Sequence, residues 1–209
     1  MPSIDHLREH YGKGELLEKD VTRNPMELFD AWFQLALAEG IKEPNAMILG
    51  TVSAERKPRS RAVLLKDYNK FGFTFYSNYQ SDKGREIDLN NNVCLNFNWL
   101  ELEKQIRIEG KAVKLTPEES NAYFNSRPQG SKMGAIISNQ SQPIESREEL
   151  EKRLEEISSS EILERPKNWG GYLVKPNQIE FWQGRADRLH DRIQFTMKDN
   201  IWTFKRLQP

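Results

Sequence analysis

With 209 residues, the chain can hold one large domain or two small ones. Its 31 Lys and Arg balance 31 Asp and Glu, so no overall basic field advertises nucleic acid. Cys94 is the only cysteine, which excludes an internal disulfide and a cysteine metal cluster. No stretch approaches the roughly 20 apolar residues of a membrane span, and no signal-peptide core opens the chain, so a soluble, cytoplasmic protein without membrane partners is expected.

The apolar fraction of 37 % is low, but five Trp, six Tyr and ten Phe can build a core. Asn24-Pro25-Met26-Glu27 is a helix start, with Asn as cap and Pro in the first turn. Leu28, Trp32 and Leu35 follow at helical spacing, and Gly40 ends the helix. Strands are predicted at 46–52, 60–66, 72–77, 92–98 and 104–115, with Cys94 read as a small core residue of the fourth. A short helix begins at Ser81-Asp82-Lys83-Gly84-Arg85. Thr116-Pro117-Glu118-Glu119 opens another, and Pro128 closes it. Residues 146–158 read as a charged surface helix with one apolar stripe, Leu150, Leu154 and Ile157. Strands at 171–175, 178–183, 189–196 and 201–206 finish the chain, the last pair turning at Asp199-Asn200. The expected class is mostly β with flanking helices (α+β), an antiparallel barrel that closes its own edges. No repeat or linker divides it, so 1–209 is read as a single domain.

Several sites are missing from the sequence. There is no G-x-G-x-x-G turn, no Walker loop and no G-x-S-x-G elbow. His6, His10 and His190 are scattered and make no metal set. What remains is a group of oddly placed cations. Lys83 falls in a first helical turn, where an anion is favoured and a lysine is not; it fits a bound phosphate or is simply exposed. Arg61 and Lys66 bracket an apolar strand and point to opposite faces unless the strand bends near its end or the site spans two subunits. Tyr123 and Arg127 are four apart and share a helix face. Trp182 alternates off the core face, as a stacking surface or a partner contact. If a strand begins near Leu189, Arg188, His190 and Arg192 share one face, either as a charged sheet edge or in front of something anionic.

An ordered series of segments resembles the pyridoxine/pyridoxamine 5′-phosphate oxidases, flavin enzymes that make pyridoxal 5′-phosphate. It comprises Arg-Ala-Val-Leu-Leu-Lys at 61–66, Phe-Tyr-Ser-Asn at 75–78, Tyr-Phe-Asn-Ser-Arg-Pro at 123–128, Gln-Ser at 140–141, Trp-Gly-Gly-Tyr at 169–172, and Gln-Ile-Glu-Phe-Trp-Gln-Gly through Arg-Leu-His-Asp-Arg at 178–192. The resemblance implies an FMN-binding split β-barrel and a homodimer with FMN at the subunit interface. It assigns FMN contacts to Arg61, Ala62, Val63, Leu64, Leu65, Lys66, Tyr76, Ser77, Lys83, Gln105, Trp182 and Arg192, with Gln140 and Ser141 contributed from the partner subunit. Around the substrate phosphate it places Lys66, Tyr123, Arg127 and Ser131. Around the substrate ring it places Arg188 and His190, the catalytic pair, while Arg8 and Tyr11 belong to a mobile N-terminal segment, 1–20, that folds over the site.

The implied reaction moves hydride from the substrate's 4′ carbon to FMN, and molecular oxygen then yields hydrogen peroxide. No general base is assigned. Asp82 departs from the pattern, standing where relatives often carry an arginine, and Glu43 replaces an aspartate. The rival expectations are a split-barrel flavin reductase of other specificity, which would lack Tyr123, Arg127, Ser131, Arg188 and His190, and a non-catalytic pyridoxal phosphate carrier, which would lose the flavin set.

Overall fold

The computed structural model describes residue 3, residues 6–7, 9–158 and 163–209. Arg8 lies outside the described residues. The elements are helices α1 (Pro25–Ala38), α2 (Asp82–Leu89), α3 (Pro117–Ser126), α4 (Gln129–Ile137) and α5 (Arg147–Ser158). The strands are β1 (Ala46–Val52), β2 (Pro58–Leu64), β3 (Asp67–Asn69), β4 (Gly72–Asn78), β5 (Asn92–Trp99), β6 (Lys104–Lys114), β7 (Trp169–Gln183), β8 (Asp191–Lys198) and β9 (Ile201–Leu207). They form one nine-stranded sheet in the order β2-β1-β5-β6-β7-β4-β3, with β8 between β7 and β9. The chain divides into two compact units: Met1–Leu49, Cys94–Gly110 and Pro176–Pro209 in one, Gly50–Val93 and Lys111–Lys175 in the other.

In the first unit the core is aromatic. Phe29 of α1 meets Phe97 edge-on at 5.3 Å, and Trp32 meets Phe181 at 5.2 Å. Phe29, Phe97, Phe181 and Phe195 are fully buried, and truncating any one to alanine costs about 3–5 kcal/mol. Asn24 caps α1 by accepting from the Met26 N–H at 3.1 Å. Leu35, expected on the buried stripe, is 38 % exposed, because Ala36 takes the inward position. Cys94 is exposed rather than core, since the alternation of β5 turns Val93, Leu95 and Phe97 inward.

In the second unit Phe75 of β4 stacks on Tyr172 of β7 at 5.3 Å. Thr116 and Glu119 complete a reciprocal capping box at the start of α3. Pro128 does close α3, but it also serves as N-cap of α4, which the sequence reading missed. The two predicted strands at 171–175 and 178–183 are one strand, β7. Pro176 falls in the gap between the ladder with β4, which ends at Val174, and the ladder with β8, which begins at Gln178.

Candidate functional site

The second unit holds a cavity of about 390 Å³ lined by Lys66, Tyr76, Ser77, Tyr123, Arg127, Ser131, Gln140 and Trp169, among others. Three rings stand nearly parallel: Tyr76 lies 3.8 Å from Tyr123 and 5.5 Å from Trp169. Burial pushes the Tyr76 phenol up to about 12, so it is neutral. Arg127 leaves α3 as its C-cap and spreads its guanidinium over Trp169, 4.6 Å from the ring centroid. Its Nη1 is buried with no hydrogen-bond partner, and burial pulls its proton affinity below the ordinary arginine value. A buried donor atom without an acceptor is costly; Lys66, Tyr123 and Ser131 line the same cavity and are donors that an anion would engage. Gly171 lets this arrangement close, since a Cβ there would collide with Leu115 and the Tyr76 ring.

Beside it, a second cavity of about 610 Å³ is lined by Arg59, Ser60, Arg61, Ala62, Asp82, Lys83, Gln140 and Ser141. Ser81 caps α2, its Oγ accepting from the Gly84 N–H at 3.3 Å. Gly84 is required, because a Cβ would run into the Tyr79 carbonyl. Lys83 is only 8 % exposed, and its Nζ donates, among the described residues, to two neutral oxygens, Ser81 Oγ at 3.2 Å and Gln140 Oε1 at 3.0 Å. Burial first, and Arg61 second, lower its proton affinity. Arg61 donates to Thr51 and, at 3.0 Å, to Glu86. Arg61, Val63 and Leu65 alternate to the more buried side and Ala62, Leu64 and Lys66 to the other, so Lys66 lines the first cavity while Arg61 lines the second, with no bend needed. Val63 is half-buried and Ala62 and Leu64 are exposed. Gln140 lines both cavities, its Oε1 accepting from the Ser77 hydroxyl at 3.2 Å and from Lys83 Nζ at 3.0 Å within its own chain; the Ser141 hydroxyl accepts from the Asp82 N–H at 3.2 Å. The pair expected from a partner subunit therefore already sits against Lys83 and Asp82 within one chain.

The first unit gathers Tyr11, Arg185, Arg188 and His190 around a cavity of about 330 Å³. Tyr11 packs edge-on to Trp182 at 5.9 Å and to His190 at 5.6 Å, and Trp182 lies 4.7 Å from His190. The expected strand face of Arg188, His190 and Arg192 does not exist. Ala186–Arg188 is a single 3-10 turn with Asp187 and Arg188 at φ 54° and 62°, and the strand begins only at Asp191. The turn aims Arg188 into solvent at the cavity. His190 Nδ1 accepts the Arg185 N–H at 3.1 Å, so the neutral ring carries its proton on Nε2 as a donor. Arg192, paired across the ladder with Trp182, donates to the buried Glu180 carboxylate at 2.8 Å. Gln105 sits half-buried on β6.

From Gly12 onward the N-terminal segment is hydrogen-bonded to the rest of its unit. The Gly12 and Lys13 N–H groups donate to Glu103 at 2.9 Å, the Leu16 N–H to Asp191 at 3.0 Å, and Arg206 grips Glu18 at 2.6 and 2.9 Å.

Residues 33–161 match the model of the pyridoxamine 5′-phosphate oxidase family, and residues 169–209 match the pyridoxine 5′-phosphate oxidase C-terminal dimerisation region. The chain belongs to the pyridoxine/pyridoxamine 5′-phosphate oxidase family. A relative of that name from Christiangramia forsetii is 50 % identical over 99 % of this chain and 98 % of its own, and one from Paraburkholderia phytofirmans is 49 % identical over 100 % of both. Among solved structures, PhzG from Burkholderia lata 383, in complex with tetrahydrophenazine-1-carboxylic acid, has a TM-score of 0.89 at 29 % identity, covering 95 % of this chain and 100 % of that one. A pyridoxamine 5′-phosphate oxidase-related, FMN binding protein from Nostoc punctiforme has a TM-score of 0.73 at 14 % identity, covering 90 % and 100 %, and shares the split-barrel fold.

The family's phosphorylated ligands can be tested against this chain's own atoms. Among the described residues, Arg127 Nη1 is buried without a hydrogen-bond partner, and the buried Lys83 has neutral hydrogen-bond partners only. Each is a cation short of an anion, in a separate cavity, and the two fit one phosphate each. The sequence reading missed the groups that hold the family's arginines in place. Glu86 lies three residues beyond Lys83, one helical turn along, which was a usable signal. Glu180, two residues before Trp182 and on the same strand face, is 4 % exposed. Trp169, the platform for Arg127, was noted only as part of a motif.

Proposed function

We propose that the chain oxidises pyridoxamine 5′-phosphate or pyridoxine 5′-phosphate to pyridoxal 5′-phosphate. FMN, when bound, supplies the two-electron chemistry at the substrate's 4′ carbon and passes the electrons to molecular oxygen, giving hydrogen peroxide. The observation that carries the reading is the buried, unpartnered Nη1 of Arg127 in a cavity shared with Lys66, Tyr123 and Ser131. These four hold the substrate phosphate and fix its register. Arg61, Lys83, Gln140 and Ser141 hold the cofactor phosphate. Residues 62–66, Tyr76, Ser77, Gln105, Trp182 and Arg192 contact the rest of FMN. Arg188 and the Nε2–H of His190 hold the pyridine ring, with Tyr11 beside it.

The chain acts as one FMN-binding domain within a homodimer, its 1–20 segment next to the substrate; the match to a dimerisation region supports the assembly. Peroxide release from the purified yellow protein tests the reading. Turnover of pyridoxamine 5′-phosphate, with none of unphosphorylated pyridoxamine at the same concentration, is expected; equal turnover of both overturns it. The likeness to PhzG favours a second reading, an oxidase of reduced tricyclic carboxylic acids. The same assay with tetrahydrophenazine-1-carboxylic acid separates the two.

A further inference from the structure

Arg59 and Arg61 are two apart on β2, so their side chains share one face of that strand. Both arginines and Lys83 line the 610 Å³ cavity. Like charges so placed need a counter-ion. Among the described residues, the buried carboxylate that meets both arginines is Glu86. Its Oε2 takes Arg61 at 3.0 Å and the Thr51 hydroxyl at 2.5 Å, and its Oε1 meets Arg59 Nε at 3.4 Å. Asp82 is drawn away by Arg85 at 2.6 Å and lies 4.0 Å from Arg59 Nη1. Three cations thus face one carboxylate, an excess of two positive charges. A phosphate monoester brings about −1.5 to −2 at pH 7.

We propose that Arg59 is a phosphate-binding residue of this cavity, the third cation on the cofactor's phosphate, and that it selects FMN over the unphosphorylated flavin. The assignment rests on the FMN reading above. It accounts for an acid at position 82: the positive charge missing from the first turn of α2 enters instead from the neighbouring strand. Arg59 is half-exposed and its carboxylate contacts are long, so its guanidinium can turn to an incoming phosphate at little cost.

The test is titration of the full-length chain, stripped of flavin, with FMN and with riboflavin, read by flavin fluorescence quenching. Arg59→Gln should raise the FMN Kd about tenfold, the loss of one charge-assisted hydrogen bond, and leave the riboflavin Kd unchanged. Adding Asp82→Asn to Arg59→Gln should recover part of the FMN affinity. Lys83→Met serves as the reference for the site. If Arg59→Gln binds FMN like the parent while Lys83→Met is weakened, the role of Arg59 is overturned and the site stands. Equal weakening toward FMN and riboflavin also overturns it. If Lys83→Met too binds FMN like the parent, the cofactor-phosphate reading itself fails.

Discussion

The guanidinium of Arg127 lies over the indole of Trp169 with its Nη1 buried and unpaired, so the fold holds a planar donor ready at the wall of the first cavity. Lysine can carry the charge but neither the stacking nor the fork. Arg127→Lys should therefore lower kcat/KM for pyridoxamine 5′-phosphate about ten- to a hundredfold while flavin content stays unchanged. Steady-state kinetics with the flavin absorbance recorded in parallel checks this. Full activity in the variant would mean that a point charge suffices.

Arg188 and Arg192 lie on different elements and should fail differently. Arg188→Ala should reduce kcat/KM and keep flavin bound. Arg192→Ala should loosen flavin and also lower the melting temperature, because Glu180 is left with Arg107 alone at 3.4 Å. A buried acceptor deprived of its main partner costs roughly 1–3 kcal/mol. Flavin titration and thermal melts on both variants decide it; the reverse pattern would exchange the two roles.

Gly84→Ala forces a Cβ onto the Tyr79 carbonyl at the start of α2. Overpacking of this kind costs about 1–3 kcal/mol. Urea unfolding should show a lower midpoint, and the displaced helix start should weaken FMN binding. An unchanged midpoint would show that the 78–81 turn yields freely.

Lys104 is buried against Trp32, its Nζ 4.0 Å from the ring centroid, and donates to Gln183. Burial pulls its ammonium down to about 8. In the unfolded chain the proton is held to about 10.4. Between these values the unfolded state binds more protons, so stability should rise as pH goes from about 8 to about 10. Melting temperatures of the parent minus those of Lys104→Met should climb over that window. A flat difference would place the titration elsewhere.

Static light scattering should give about twice the 24.5 kDa chain mass. The strand β9 in the C-terminal region leaves Ile201 66 % exposed and Phe204 36 % exposed, apolar area suited to a second copy. A flavin-bound monomer would contradict the shared assembly.

Much of this was legible wherever local chemistry decides. Asn24, Thr116 and Glu119 mark helix starts by the donors they satisfy, and β1 follows from its alternation. The strand at 189 was not legible because Asp187 and Arg188 adopt a left-handed backbone without glycine, and no side-chain pattern announces that. α4 was hidden because a proline that ends one helix can cap the next. In the site, the cations stood out singly from the sequence. Glu86 and Glu180, which hold the arginines in place, became visible only when strand pairing and helix packing set them opposite their partners.

The outward turn of Cys94 has a practical consequence. The chain carries one cysteine, and it faces solvent. A maleimide dye should attach at one defined point per chain, on a strand and not on a loop. The same exposure makes storage without reductant a route to covalently linked pairs.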